Sequence, residues 1–195
     1  MKLIKKLKFK TFILVLILIF NLQIFSKADD IKEFEIEELS IGISALKFFS
    51  KNELELNVSN PPNLENTIFN QSCFDNFSDT YDRMCVSYKK KSSKKIIDFI
   101  QGQIIYQGEA YNACRSNQKE IDKELSLLFS NLERVDWGKL MLTAINHLDP
   151  DAYYYPITYE FTDGSRAQVG CYYINDHTRL KVGVYTYEYG QVIKN

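Results

Sequence analysis

Ile157-Thr-Tyr-Glu-Phe-Thr-Asp-Gly-Ser-Arg-Ala-Gln-Val-Gly-Cys-Tyr-Tyr173 is the stretch on which the fold turns. Ile157, Tyr159 and Phe161 alternate with Thr158, Glu160 and Thr162, the period of a strand with one buried face. Asp163-Gly164 is a tight-turn pair, and residues 166–173 then return antiparallel. Asn175-Asp176-His177 marks another turn, into residues 179–187, where Leu180, Val182 and Val184 share a face. The pattern predicts a three-stranded C-terminal meander.

Working outward, residues 81–89 and 96–106 read as a hairpin across the lysine turn Lys89-Lys90-Lys91, with Gly102 as a candidate bulge. Residues 109–129 read as the one long helix, its apolar side carried by Ala110, Cys114, Ile121, Leu125 and Leu128. Before the hairpin the elements are short. Residues 34–39 suggest a strand, residues 45–49 a helix capped by Ser44, and residues 52–57 a second helix. Residues 59–72, with Pro61-Pro62, read as loop. Val135-Asp136-Trp137 suggests a brief strand, and residues 139–151 fit either helix or loop. The expected class is α+β, an antiparallel sheet of hairpin plus meander packed against the long helix and short N-terminal helices.

The N-terminus carries an address. Lys2, Lys5, Lys6, Lys8 and Lys10 precede nine unbroken apolar residues, 12–20, and Ser26-Lys27-Ala28 follows. A basic start, a short apolar core and small residues at −3 and −1 make a cleavable secretory signal. Nine apolar residues fall short of the roughly 20 that cross a bilayer. The expected organisation is a signal peptide at 1–28 and a single exported domain at 29–195, periplasmic or secreted, with no stable membrane span after cleavage. A retained N-terminus would instead make an envelope-anchored scaffold.

Cleavage removes six of the 24 basic residues and none of the 25 acidic ones, leaving a formal net charge of −7. That balance argues against a phosphate-tracking surface, so no nucleic-acid partner is expected. In an oxidising compartment the four cysteines read as two disulfides with three possible connectivities. Cys114 shares the apolar side of the predicted helix, and Cys171 shares a strand face with Ala167, Val169 and Tyr173. Core-facing helix and strand cysteines are natural partners, which favours Cys114–Cys171 and leaves Cys73–Cys85.

The segment Ser40-Ile-Gly-Ile-Ser-Ala-Leu-Lys-Phe-Phe-Ser50 resembles a group of small exported proteins from marine alphaproteobacteria. The resemblance implies a hairpin, a long helix and a C-terminal meander after this segment. It implies no activity.

Catalytic signatures are sparse. Gly42-Ile-Ser44 lacks the second glycine of a nucleophile elbow, there is no Cys-x-x-Cys, and no glycine-rich phosphate loop occurs. His147-Leu-Asp149-Pro-Asp151 and Asp176-His177 have metal-ligand chemistry but sit in predicted turns, so neither metal nor cofactor is expected. The tyrosines are the stronger clue: all 13 follow residue 80, and nine fall between Tyr153 and Tyr189. On a last strand, Tyr185, Tyr187 and Tyr189 would alternate with Val184, Thr186 and Glu188 and line ~13 Å of the face away from the core. Tyrosine joins contact area to a hydroxyl and suits recognition. The other reading has the N-terminal segment or Tyr153–Tyr155 packed over them. The functional expectation is a non-enzymatic domain binding an unidentified protein or other extracytoplasmic ligand. Its rivals are a small periplasmic hydrolase using His147 or His177 with nearby carboxylates, and the envelope scaffold.

Overall fold

The computed structural model describes residues 30–61, 64–108, 110–143, 149–174 and 177–193. The signal segment, His147 and the Asn175-Asp176 turn lie outside the described residues. The Asp30 carboxylate caps a 3-10 turn at Ile31–Glu33. β1 (Glu35–Ile36) and β2 (Leu39–Ser40) then pair as a minute hairpin through Glu37 and Glu38, both at positive φ. Ser44 caps a second turn, Ala45–Lys47. Ser50 and Glu53 cap each other's backbone at the start of α1 (Lys51–Leu56), satisfying two otherwise orphan amides.

The main elements follow: β3 (Phe69–Asp75), β4 (Arg83–Lys89), β5 (Ile97–Tyr106), α2 (Tyr111–Leu128), β6 (Glu133–Asp136), β7 (Leu140–Met141), β8 (Tyr153–Glu160), β9 (Arg166–Ile174), β10 (His177–Tyr185) and α3 (Tyr187–Ile193). The architecture is α+β. One antiparallel sheet runs β3-β4-β5-β10-β9-β8-β6, with β7 paired to β8. Consecutive strands pair within β3–β4–β5 and within β8–β9–β10, and the β5–β10 ladder joins the two groups.

Several expectations need correction: residues 34–39 make the β1–β2 hairpin rather than one strand, and β7 lies in the segment read as helix or loop. β3 begins inside the segment read as loop, because Asn57, Ser59 and Asn60 bond its backbone and Phe69 is fully buried. Gly102 is not a bulge. The register slips at Asp98, between the pairs Ser87–Phe99 and Tyr88–Ile97. Gly102 instead admits the Tyr81 ring, where a Cβ would stand 2.5 Å from its carbons. Finally, β10 ends at Tyr185, and the residues read as its continuation turn into α3.

One sheet face carries the main core. The N-terminal segment covers it over β4 and β5, where Ile36, Leu39, Ala45 and Leu54 join Met84, Val86, Ile97 and Ile100. α2 covers it over β9 and β10, and the Phe34 and Phe129 rings meet 5.3 Å apart where the two coverings join. A Cys114–Cys171 disulfide ties α2 to β9, while Cys73–Cys85 joins directly opposed residues of β3 and β4. Gln118, fully buried on α2, donates from Nε2 to the Tyr155 and Val169 carbonyls at 2.6 and 3.2 Å. It stands four residues after Cys114 and completes that side of the helix.

One turn further along α2, Asp122 receives two bonds from Arg134 of β6 at 2.9 and 2.8 Å and one from the Tyr159 hydroxyl at 2.6 Å. Burial pushes this carboxyl up, but the guanidinium and then the hydroxyl outweigh it and hold Asp122 below the ordinary carboxylate range. A depressed folded-state pKa adds stability that is complete above the unfolded value and is lost as pH falls through the folded one. Urea unfolding from pH 6 to pH 2 should therefore show stability falling below about pH 4. Asp122→Asn should start lower at pH 6 and fall less steeply. Parallel acid limbs for the two proteins would mean that other carboxyls carry the acid response.

Candidate functional site

The three tyrosines read as one exposed face do not form one. Tyr185 closes β10 and is 7% exposed, Tyr189 is 2% exposed, and Tyr187 is 55% exposed. The Thr186 amide bonds the Asp98 carbonyl at 2.9 Å, and the Thr186 hydroxyl accepts from the Tyr189 amide at 3.3 Å. Thr186 is thus the N-cap of α3, which folds back over the sheet face opposite α2. There Tyr189 stacks on Phe99 at 4.8 Å and meets the edge of Phe69 at 5.2 Å, closing a second core with Leu64 and the Cys73–Cys85 bridge. Burial raises the Tyr189 hydroxyl pKa despite its bond to Ser87.

The partly exposed rings gather instead at the far end of β8 and β9. On the α2 side, Tyr153 pairs with Tyr173 across the strands and their rings stack at 4.6 Å. Tyr155 lies edge-on to both, and Tyr111, from the first position of α2, packs on Tyr155 and Tyr173. Lys139 places its ammonium 3.9 Å from the Tyr153 centroid, and the Arg115 guanidinium lies 4.2 Å from that of Tyr155. Cations over ring faces are attracted by the ring quadrupole. The hydrogen bond with Tyr111, ahead of burial, raises the Tyr155 hydroxyl pKa, whereas burial leads for Tyr173. The Tyr173 hydroxyl is buried without a hydrogen-bond partner.

The other side of the same sheet end has a different chemistry. Tyr154 and Tyr172 pair across β8 and β9 and stack at 4.9 Å, and Gln168 donates to the Tyr172 hydroxyl at 2.8 Å. Trp137, half exposed, folds onto this side and donates from Nε1 to Thr158 at 3.0 Å. The Lys181 ammonium sits 4.3 Å from the Tyr172 centroid. Burial first, and then Arg179 and Arg83, lower the Lys181 pKa to about 8.

Sequence reasoning missed both clusters. The side of β10 carrying Arg179 and Lys181 alternates with Leu180, Val182 and Val184, a pattern that reads as solvated strand surface. The available signal was the company those cations keep: Gln101 and Gln103 on β5, and Gln168 and Tyr172 on β9, fall on the same side at the same period. For the second cluster the signal was Tyr111, at the end of the helix whose side bears Cys114.

His177 is exposed at the start of β10, while His147 and Asp176 lie outside the described residues. Among the described residues no group of three His, Cys, Asp or Glu side chains is placed to hold a metal ion, and no helix is long and apolar enough to cross a membrane. No protein-family model matches the chain, and no curated protein matches it at a significant level.

Proposed function

We propose that the protein is an extracytoplasmic binding domain, periplasmic or secreted, which takes a protein partner on the Tyr111–Tyr153–Tyr155–Tyr173 cluster. The observation that carries this reading is the position of those rings at the rim of the sheet. They are packed on one another and capped by Arg115 and Lys139, and all four are only partly buried or exposed, with Tyr173 alone resting against the main core. Rings already held by neighbours lose little freedom on binding, and tyrosine and arginine dominate contact energetics at interfaces. The two disulfides fit an oxidising compartment, and the basic-apolar N-terminus supplies the route there.

A Tyr111→Ala/Tyr153→Ala variant should keep its far-ultraviolet circular dichroism and a cooperative urea transition, since Tyr111 is 39% exposed and Tyr153 is only partly buried. Its retention of a partner identified by photocrosslinking from position 139 should fall by about 30-fold, the factor of a 2 kcal/mol hot spot. An unchanged affinity in the folded double variant would overturn the reading.

A further inference from the structure

The sheet side carrying Lys181 holds more positive charge than the fold needs. Arg83, Gln103 and Lys181 stand in one cross-strand row over β4, β5 and β10, and Arg179 lies two residues from Lys181 on the same side. Among the described residues only Arg83 of the three cations pairs with a carboxylate, that of Asp75, 3.5 Å from Nε and itself 69% exposed, and its Nη2 donates to Ser59 at 3.4 Å. Lys181 and Arg179 form no ion pair among the described residues. Nε of Arg83 and of Arg179 are both buried without a hydrogen-bond partner, and so is Oε1 of Gln103, a residue 5% exposed.

Like charges held together at a partly buried surface raise one another's free energy, and a bound anion relieves that cost. The Tyr172 ring is 9% exposed, stacked on Tyr154 and covered by the Lys181 ammonium, so it takes no part in holding the anion's carrier.

We propose that Lys181, Arg179 and Arg83 form a site for an oxyanion: a carboxylate, sulfate or phosphate group. This site is separate from the tyrosine cluster on the opposite side of the sheet, and either can fail without the other.

The test uses the purified protein with both disulfides intact and lysines labelled with carbon-13 at Cε. The Lys181 resonance is identified by its loss in Lys181→Met. Sodium sulfate, sodium phosphate and sodium glucuronate are titrated separately, with chloride holding ionic strength constant. The expected result is a saturable shift of the Lys181 signal with a midpoint below about 10 mM, weakened at least about tenfold in Arg179→Gln. Arg83→Gln serves as a second variant should the first fail to fold. Saturation by glucuronate at concentrations about tenfold below those of sulfate and phosphate supports a carboxylate as the oxyanion. Saturation by sulfate or phosphate at or below the glucuronate concentration supports a sulfate- or phosphate-bearing ligand. A signal that none of the three moves, or that moves alike in wild type and both variants, overturns the site.

Discussion

A Cys114→Ala/Cys171→Ala variant should lose ~4 kcal/mol of unfolding free energy, and a Cys73→Ala/Cys85→Ala variant ~3 kcal/mol. The difference follows from the chain enclosed: the first bridge closes a separation of 57 residues and the second one of 12. Release of the longer loop also puts more at risk in the folded state. Cys114 is one turn from Gln118, whose amide reaches the backbones of both β8 and β9, and Asp122 follows one turn later. These three residues hold α2 on the sheet. Because its first turn carries Tyr111, loosening α2 should also spread the proposed recognition cluster. Urea unfolding at pH 7, with equal protein concentrations and no reductant, measures both variants. A loss from the longer bridge no greater than that from the shorter would mean that α2 is held by its packing alone.

Tyr189→Ala should cost ~3–5 kcal/mol, the range for truncating a large buried aromatic, whereas Tyr187→Ala should stay within ~0.5 kcal/mol of wild type. The two residues are neighbours on a seven-residue helix, so helix propensity cannot account for the contrast. Tyr189 fills the space between Phe69 and Phe99, and its hydroxyl reaches Ser87 and Gln71. Tyr187 leans over the Gly164 turn and is largely exposed. Losing Tyr189 removes the wedge that holds α3 down and opens the second core around the Cys73–Cys85 bridge. Equal small losses from the two substitutions would show that α3 adds little to the stability of this face.

The contrast also shows where sequence reading stops. Alternation identified β8, β9 and the first part of β10, because one side of each strand is apolar and the other polar, and the tight turn at Gly164 was legible at φ +80°. The directions that bring Cys114 to Cys171 are legible in two periodicities, 3.6 on α2 and 2 on β9. Past Tyr185 the same alternation misled. Tyr185, Tyr187 and Tyr189 keep a period of two, yet Thr186 bonds Asp98 and caps a helix. The reward for that helix is burial against Phe69 and Phe99, some 90 to 120 residues earlier in the chain. Local pattern carries no information about so distant a surface. Gln118 was passed over for a related reason. A polar residue in an apolar stripe looks like an interruption until the carbonyls it satisfies are known. The charged side of β10 was legible as polar, but its deficit of counter-charge depends on which strands stand beside it.

The ladder between β5 and β10 has a consequence for how the molecule is made. β5 ends at Tyr106, and its partner begins at His177. Until the last strand is in place, two independent hairpin arrays each present an unpaired edge, the kind of edge that recruits strands from other chains. The pairings inside each array are local and quick to find, while the seam must wait for a long-range closure. Assembly is therefore hierarchical, and its vulnerable interval is the time for which the inner edge of β5 stays open.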